Sequence, residues 1–97
     1  MLTLGQIVFS KCGHDKGKAF LVVDLGDGYC YLADGASRPL AKPKRKKERH
    51  VQPTNTIDGW VRQALQDHGP LLDADLRKAL ASYQASISMQ RAVGQEA

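Results

Sequence analysis

Gly5-Gln-Ile-Val-Phe-Ser-Lys-Cys-Gly-His-Asp-Lys-Gly-Lys-Ala-Phe-Leu-Val-Val23 joins two apolar, β-prone runs, Ile7 to Phe9 and Phe20 to Val23. The loop between them carries Lys11, Lys16, Lys18, His14, Gly13 and Gly17. Val, Phe and Ile between turn residues read as strands, and loops set on rigid strands are where binding residues gather. Gly13 and Gly17 accept positive φ without steric cost, so the loop can turn sharply and expose backbone N–H groups. Cationic side chains beside exposed N–H groups suit a phosphate. The stretch predicts a small barrel that contacts RNA.

Working outward, the first half continues as short strands punctuated by glycine. Ala19 to Leu25 is apolar on both faces until Asp24, as expected of a strand in the middle of a closed sheet. Gly26-Asp27-Gly28 turns the chain, and Tyr29 to Ala33 follows as a third strand. Asp34-Gly35 is the strongest hairpin signal, because a type I′ turn needs positive φ at both central residues. Ser37 to Leu40 is then expected as a short return strand, with Pro39 and Pro43 confining it to an edge or an irregular connection. The Lys42–Arg49 run leads into Val51 and is expected to form the last strand, its outer face basic. Gln52-Pro-Thr-Asn-Thr56 reads as a boundary. Short strands in so little chain close most economically into an SH3-like or OB-like barrel, which removes exposed edges.

From Ile57 the apolar period changes from two to 3.6. Ile57, Trp60, Val61, Ala64, Leu65 and His68 fall on one helical stripe, with Asn55 or Thr56 as N-cap and Gly69-Pro70 as the stop. Trp60 is expected to anchor this helix to the barrel. A second helix begins near Asp73, its apolar face marked by Leu76, Ala79, Leu80, Tyr83 and Ile87, and the last few residues, with Gly94, are expected to fray. The fold class is therefore mainly β: a small SH3-like or OB-like barrel of about five strands over residues 1–53, then a helical extension of two α-helices over 54–97.

Charge is distributed unevenly. Of the 97 residues, 1–55 hold ten Lys/Arg against five Asp/Glu, and 56–97 hold four against five, so the whole net charge of +4 originates in the first half. A polyanionic partner for that half is implied. No apolar run approaches the roughly 18 residues of a membrane span. Met1-Leu2-Thr3-Leu4 has no basic n-region, and Gly5 and Gln6 interrupt the apolar residues, which argues against a signal peptide. Two cysteines, Cys12 and Cys30, are too few for a disulfide scaffold and fit free thiols in the cytoplasm.

The opening stretch resembles the KOW motif found in several ribosomal proteins and transcription elongation factors: Gly5, the strand Ile7-Val8-Phe9, the basic loop Gly13-His-Asp-Lys-Gly17-Lys18, and the apolar strand Phe20 to Val23. Ala33-Asp34-Gly35, Leu40, Pro43-Lys-Arg-Lys-Lys47 and Arg49-His50-Val51 extend the likeness to small bacterial KOW-domain RNA-binding proteins. These are themselves similar to an archaeal and eukaryotic type of large-subunit ribosomal protein. The match covers about residues 4–53, and loosely 55–80, where relatives carry a short helical tail. It implies an SH3-like barrel and contact with RNA or the ribosome. Cys12 and His14 depart from the small or basic residues expected in that loop.

The candidate phosphate contacts are Lys11, His14, Lys16, Gly17 and Lys18 in the loop, and Lys42, Lys44, Arg45, Lys46, Lys47 and Arg49 in the basic run. Lysine serves there as a point charge that needs no planar geometry. Either set would also serve as an ordinary solvated surface. Tyr29 and Tyr31, on one strand face, suit base stacking or barrel packing. Cys12, His14, Cys30 and His50 are metal-ligand types, but their spacing matches no zinc signature. No motif supplies Cys12 with a base and an oxyanion site, and no G-x-x-x-x-G-K-[ST] loop occurs. The expected function is a non-catalytic RNA-binding module associated with the ribosome or rRNA. Its partners are RNA and ribosomal proteins, with no cofactor, membrane or small-molecule substrate. A protein-interaction adaptor built on the barrel or the C-terminal helices is the alternative.

Overall fold

Burial in the first strand alternates in purpose: Ile7 and Val8 are both buried, on opposite sides of the chain. The computed structural model describes the backbone of residues 1–96 and the side chains of residues 1–89. Strands β1 (Gln6–Ser10), β2 (Ala19–Gly26), β3 (Tyr29–Ala33), β4 (Lys44–Lys47) and β5 (Val51–Ile57) precede helices α1 (Gly59–Gln66) and α2 (Asp73–Glu96). The strands form one antiparallel sheet in the order β4–β3–β2–β1–β5, and a single 3₁₀ turn, Glu48–His50, carries the chain from β4 to β5. This is the small β-rich fold expected, with the helices after the strands.

Each face of the sheet has its own core. Inside the curl, Val8, Phe20, Val22, Cys30, Leu32 and Val51 pack together. On the outer face, Ile7, Leu21 and Ala33 pack against Val61 of α1 and Leu76 and Ala79 of α2. β2 is central and apolar on both sides because one side fills the curl and the other supports the helices. A bulge between Val22 and Asp24 lets Val22 and Leu25, three residues apart, both reach the inner core.

Several expectations are corrected. The type I′ hairpin lies at Asp27-Gly28, with φ of 52° and 79°, where Gly26 pairs directly with Tyr29. Asp34-Gly35 opens an irregular loop instead, and Ser37 to Leu40 form no strand. The reason is the Asp34 carboxylate: Oδ1 accepts the N–H groups of Ala36 (2.9 Å) and Arg38 (2.8 Å), and Oδ2 accepts the Ser37 hydroxyl (3.0 Å). A side chain that caps neighbouring N–H groups offers the backbone an alternative to a ladder. Partial burial acts to raise the Asp34 pKa, but these hydrogen bonds outweigh it and leave the carboxyl below its ordinary value.

The basic run is not the last strand but the fourth. Gln52–Thr56, read as a boundary, belongs to β5 and pairs with β1. Its exposed side chains hide it from pattern reading, and Pro53 is tolerated because β5 is an edge. α1 starts two residues later than its stripe suggested. Asp58 is the N-cap, its Oδ1 accepting the Val61 N–H at 2.9 Å, and Ile57 remains in β5. Trp60 therefore points away from the sheet, 70% exposed, and Val61 is the anchor. Gly69 does follow α1, but the residue with positive φ is His68, at 52°.

α2 docks as expected through Leu76, Ala79, Leu80 and Tyr83, with Phe9 and Tyr83 rings 6.1 Å apart. Its first turn is tied to the 34–40 loop: the Leu40 N–H donates to Asp73 Oδ1 at 2.7 Å, and Arg77 donates to the Gly35 carbonyl. Gly35 has φ of 78°, and a Cβ there would meet the Asp73 carbonyl oxygen, so only glycine allows this approach. α2 continues as helix through Gly94 to Glu96, where fraying was expected; the side chains from 90 onward and Ala97 lie outside the described residues. No described helix is long and apolar enough to cross a membrane.

Candidate nucleic-acid interface

The Lys11–Lys18 loop is built on its own backbone. The N–H groups of Lys16, Gly17 and Lys18 donate to the carbonyls of Gly13 (3.2 Å), Ser10 (2.9 Å) and Asp15 (2.9 Å), and the Lys11 N–H donates to His50 (2.9 Å). These donors are consumed internally. The N–H groups of Cys12, Gly13, His14 and Asp15 have no acceptor among the described residues, so the amides open to a ligand are those at the tip of the loop around Gly13, and not those of Lys16, Gly17 and Lys18.

Two side chains from elsewhere fix the loop. Asp15 is buried, and its Oδ2 accepts both Nε (3.2 Å) and Nη2 (2.9 Å) of Arg38. Arg38 is in turn set by the Asp34 turn, so a carboxylate in one loop positions the cation that grips the other. On the opposite side, the Lys46 ammonium donates to the Cys12 carbonyl at 2.6 Å. Lys46 pairs with Cys30 in the β3–β4 register and so faces the curl, its stem leading to the loop. Cys30 is buried, and burial, followed by the negative charge of Glu48, pushes its thiol pKa up, which keeps it protonated and unreactive.

These ties bring the loop and the basic strand to one groove of about 370 Å³. Of the expected contacts, His14, Lys44, Arg45, Lys46 and Lys47 line it. Arg49 lines a neighbouring hollow together with Lys47 and Tyr29. Lys11, Lys16, Gly17, Lys18 and Lys42 are exposed and line neither. Arg38, His50 and Tyr29 also line the groove and were not among the expected phosphate contacts. His50 adjoins the basic run and could have been included on that ground; Arg38, alone between Ser37 and Pro39, carried no signal.

Electrostatically the groove sets five Lys/Arg side chains against one carboxylate, Asp15, which is already paired with Arg38. Clustered cations on a concave surface concentrate positive potential and attract a polyanion. β4 divides its cations between two sides: Lys44 and Lys46 share the inward side of Leu32 and Cys30, while Arg45 and Lys47 share the side of Tyr31 and Tyr29. The Arg45 guanidinium lies over the Tyr29 ring, 4.6 Å from its centroid. Among the described residues no three His, Cys, Asp or Glu side chains converge as a metal ion would require. In comparison with known proteins, no family model and no curated protein matches the chain.

Proposed function

We propose that the chain is a non-catalytic RNA-binding module of the KOW type, working on ribosomal or another structured RNA in the cytoplasm. RNA phosphates occupy the groove between the Lys11–Lys18 loop and β4. The observation that carries this reading is the convergence of Arg38, Lys44, Arg45, Lys46 and Lys47 on one groove whose single carboxylate, Asp15, is already paired. The resemblance of Gly5 to Val51 to KOW-domain RNA-binding proteins supports the same reading. Phosphate contacts of this kind position RNA without reading its sequence.

Salt dependence tests the reading. The Lys44 and Lys47 side chains are exposed and make no described hydrogen bond, so a Lys44→Glu/Lys47→Glu variant alters charge without dismantling the loop. Wild type is expected to lose RNA affinity steeply with salt, and the variant's log–log slope to be shallower by about 1.4, at roughly 0.7 per lost single-strand contact. A folded variant that binds RNA with the wild-type slope overturns the proposal. Sedimentation with ribosomal subunits distinguishes ribosomal from other RNA.

One observation favours a protein-interaction adaptor as the second reading: Trp60 is exposed beside a hollow it shares with Ala64, Gly69 and Pro70. Exposed tryptophan is a common interface anchor. In that case Trp60→Ser, in the full chain, abolishes capture of a protein partner and leaves RNA affinity unchanged.

A further inference from the structure

The Tyr29–Arg45 stack stands between the two basic hollows. Tyr29 lines both, Arg45 and Lys44 lie on one side of it, and Arg49 lies on the other. Arg45 is exposed and its Cζ lies over one face of the Tyr29 ring, so the rest of the guanidinium surface is open to a second partner. The guanidinium is planar and weakly hydrated, and it stacks on nucleobases as well as on aromatic rings. Being already ordered against Tyr29, it loses little further freedom when a base settles on it.

Resting on the RNA-binding reading, we infer that this stack is a platform for one unpaired base, and that the ligand is single-stranded RNA or a splayed loop nucleotide rather than a helix. Duplex phosphates would need only the charges, and would leave the stack idle, because paired bases keep their faces inside the helix. An unpaired nucleotide uses every feature present. Its base covers Arg45, one flanking phosphate reaches Lys44 and Lys47, and the other reaches Arg49. The Asp27-Gly28 turn holds the start of β3, and with it Tyr29, rigidly beside β4.

The test uses the full chain and three labelled probes: a single-stranded oligoadenylate, the same ribose-phosphate chain without bases, and an A-form RNA duplex of equal length. Arg45→Lys keeps the charge and removes the plane. It is expected to weaken oligoadenylate binding about fivefold or more, the low end of what one stacked base contributes. The salt slope, which counts charges, is expected to stay at its wild-type value, and abasic-chain and duplex binding to weaken less than oligoadenylate binding. Tyr29→Leu is expected to repeat the pattern; if it fails to fold, Arg45→Lys with the abasic probe still decides. Equal weakening on all three probes, or no weakening on oligoadenylate, overturns the platform while leaving RNA binding intact. Wild-type protein that binds none of the probes at low salt overturns both.

Discussion

Replacing Gly35 with alanine isolates the contact that fixes α2 on the sheet. A Cβ at residue 35 would lie 2.2 Å from the Asp73 carbonyl oxygen and 3.1 Å from Arg77 Cγ, at φ of 78°. The left-handed backbone alone costs an L-residue about 1–2 kcal/mol. Relieving the overlap requires the first turn of α2 to retreat by about 1 Å, which breaks the bond from Leu40 N–H to Asp73 and that from Arg77 to the Gly35 carbonyl. Each involves a charged group and contributes about 1.5–3 kcal/mol. The expected loss is about 4–8 kcal/mol, a large part of the 5–15 kcal/mol typical of such domains. Gly17→Ala is the control: its φ is 84°, and nothing lies within 4 Å of the added carbon, so only the backbone cost applies. Urea denaturation followed by far-UV circular dichroism would measure both. If the two variants differ by less than about 1 kcal/mol, the close approach of α2 to the 34–38 loop is not holding the helix, and the reasoning fails.

Two further outcomes follow from the same contacts. Val61→Ala is expected to cost about 1.5–3 kcal/mol in a thermal or chemical melt, while Trp60→Ser stays within about 0.5 kcal/mol, and equal effects would return Trp60 to the anchor role. Asp34 has a folded pKa below its unfolded one, so its contribution is complete above the unfolded value, about 3.9, and disappears as pH falls through the folded value. The stability gap between wild type and Asp34→Asn is therefore expected to narrow in that acid window, and parallel pH profiles would refute it.

The strands with apolar content were legible because burial wrote itself into the sequence. Ile7 to Phe9, Phe20 to Val23 and Tyr29 to Ala33 all fall where expected. β4 and β5 were harder, since Lys44–Lys47 and Gln52–Ile57 are strands through pairing with β3 and β1 rather than through an apolar face of their own. The two Asp-Gly pairs carried the same local signal. Only tertiary context separates them: Asp27-Gly28 is flanked immediately by strands, whereas Asp34 binds its own loop through its carboxylate. The Trp60 error came from one shifted helix start, because capping by Asp58 turns the indole to solvent and Val61 inward. For the groove, sequence identified the cations of β4 but not their partition. Which loop lysines stand apart from the groove, and that Arg38 lines it, depend on the Asp15–Arg38 pair, whose members lie 23 positions apart.

β4 is an outer strand of the sheet, with β3 on one side and no strand on the other. Unpaired strand edges invite pairing with another chain, and lysines are among the devices that prevent it. Lys44, Arg45 and Lys47 thus also keep copies of this protein apart, by mutual repulsion along an otherwise open edge. Removing their charge with alanine or glutamine, in order to map binding, would uncover that edge and favour self-association. Reversing the charge to glutamate would keep the edge guarded, so loss of binding in such variants would report the ligand and not aggregation.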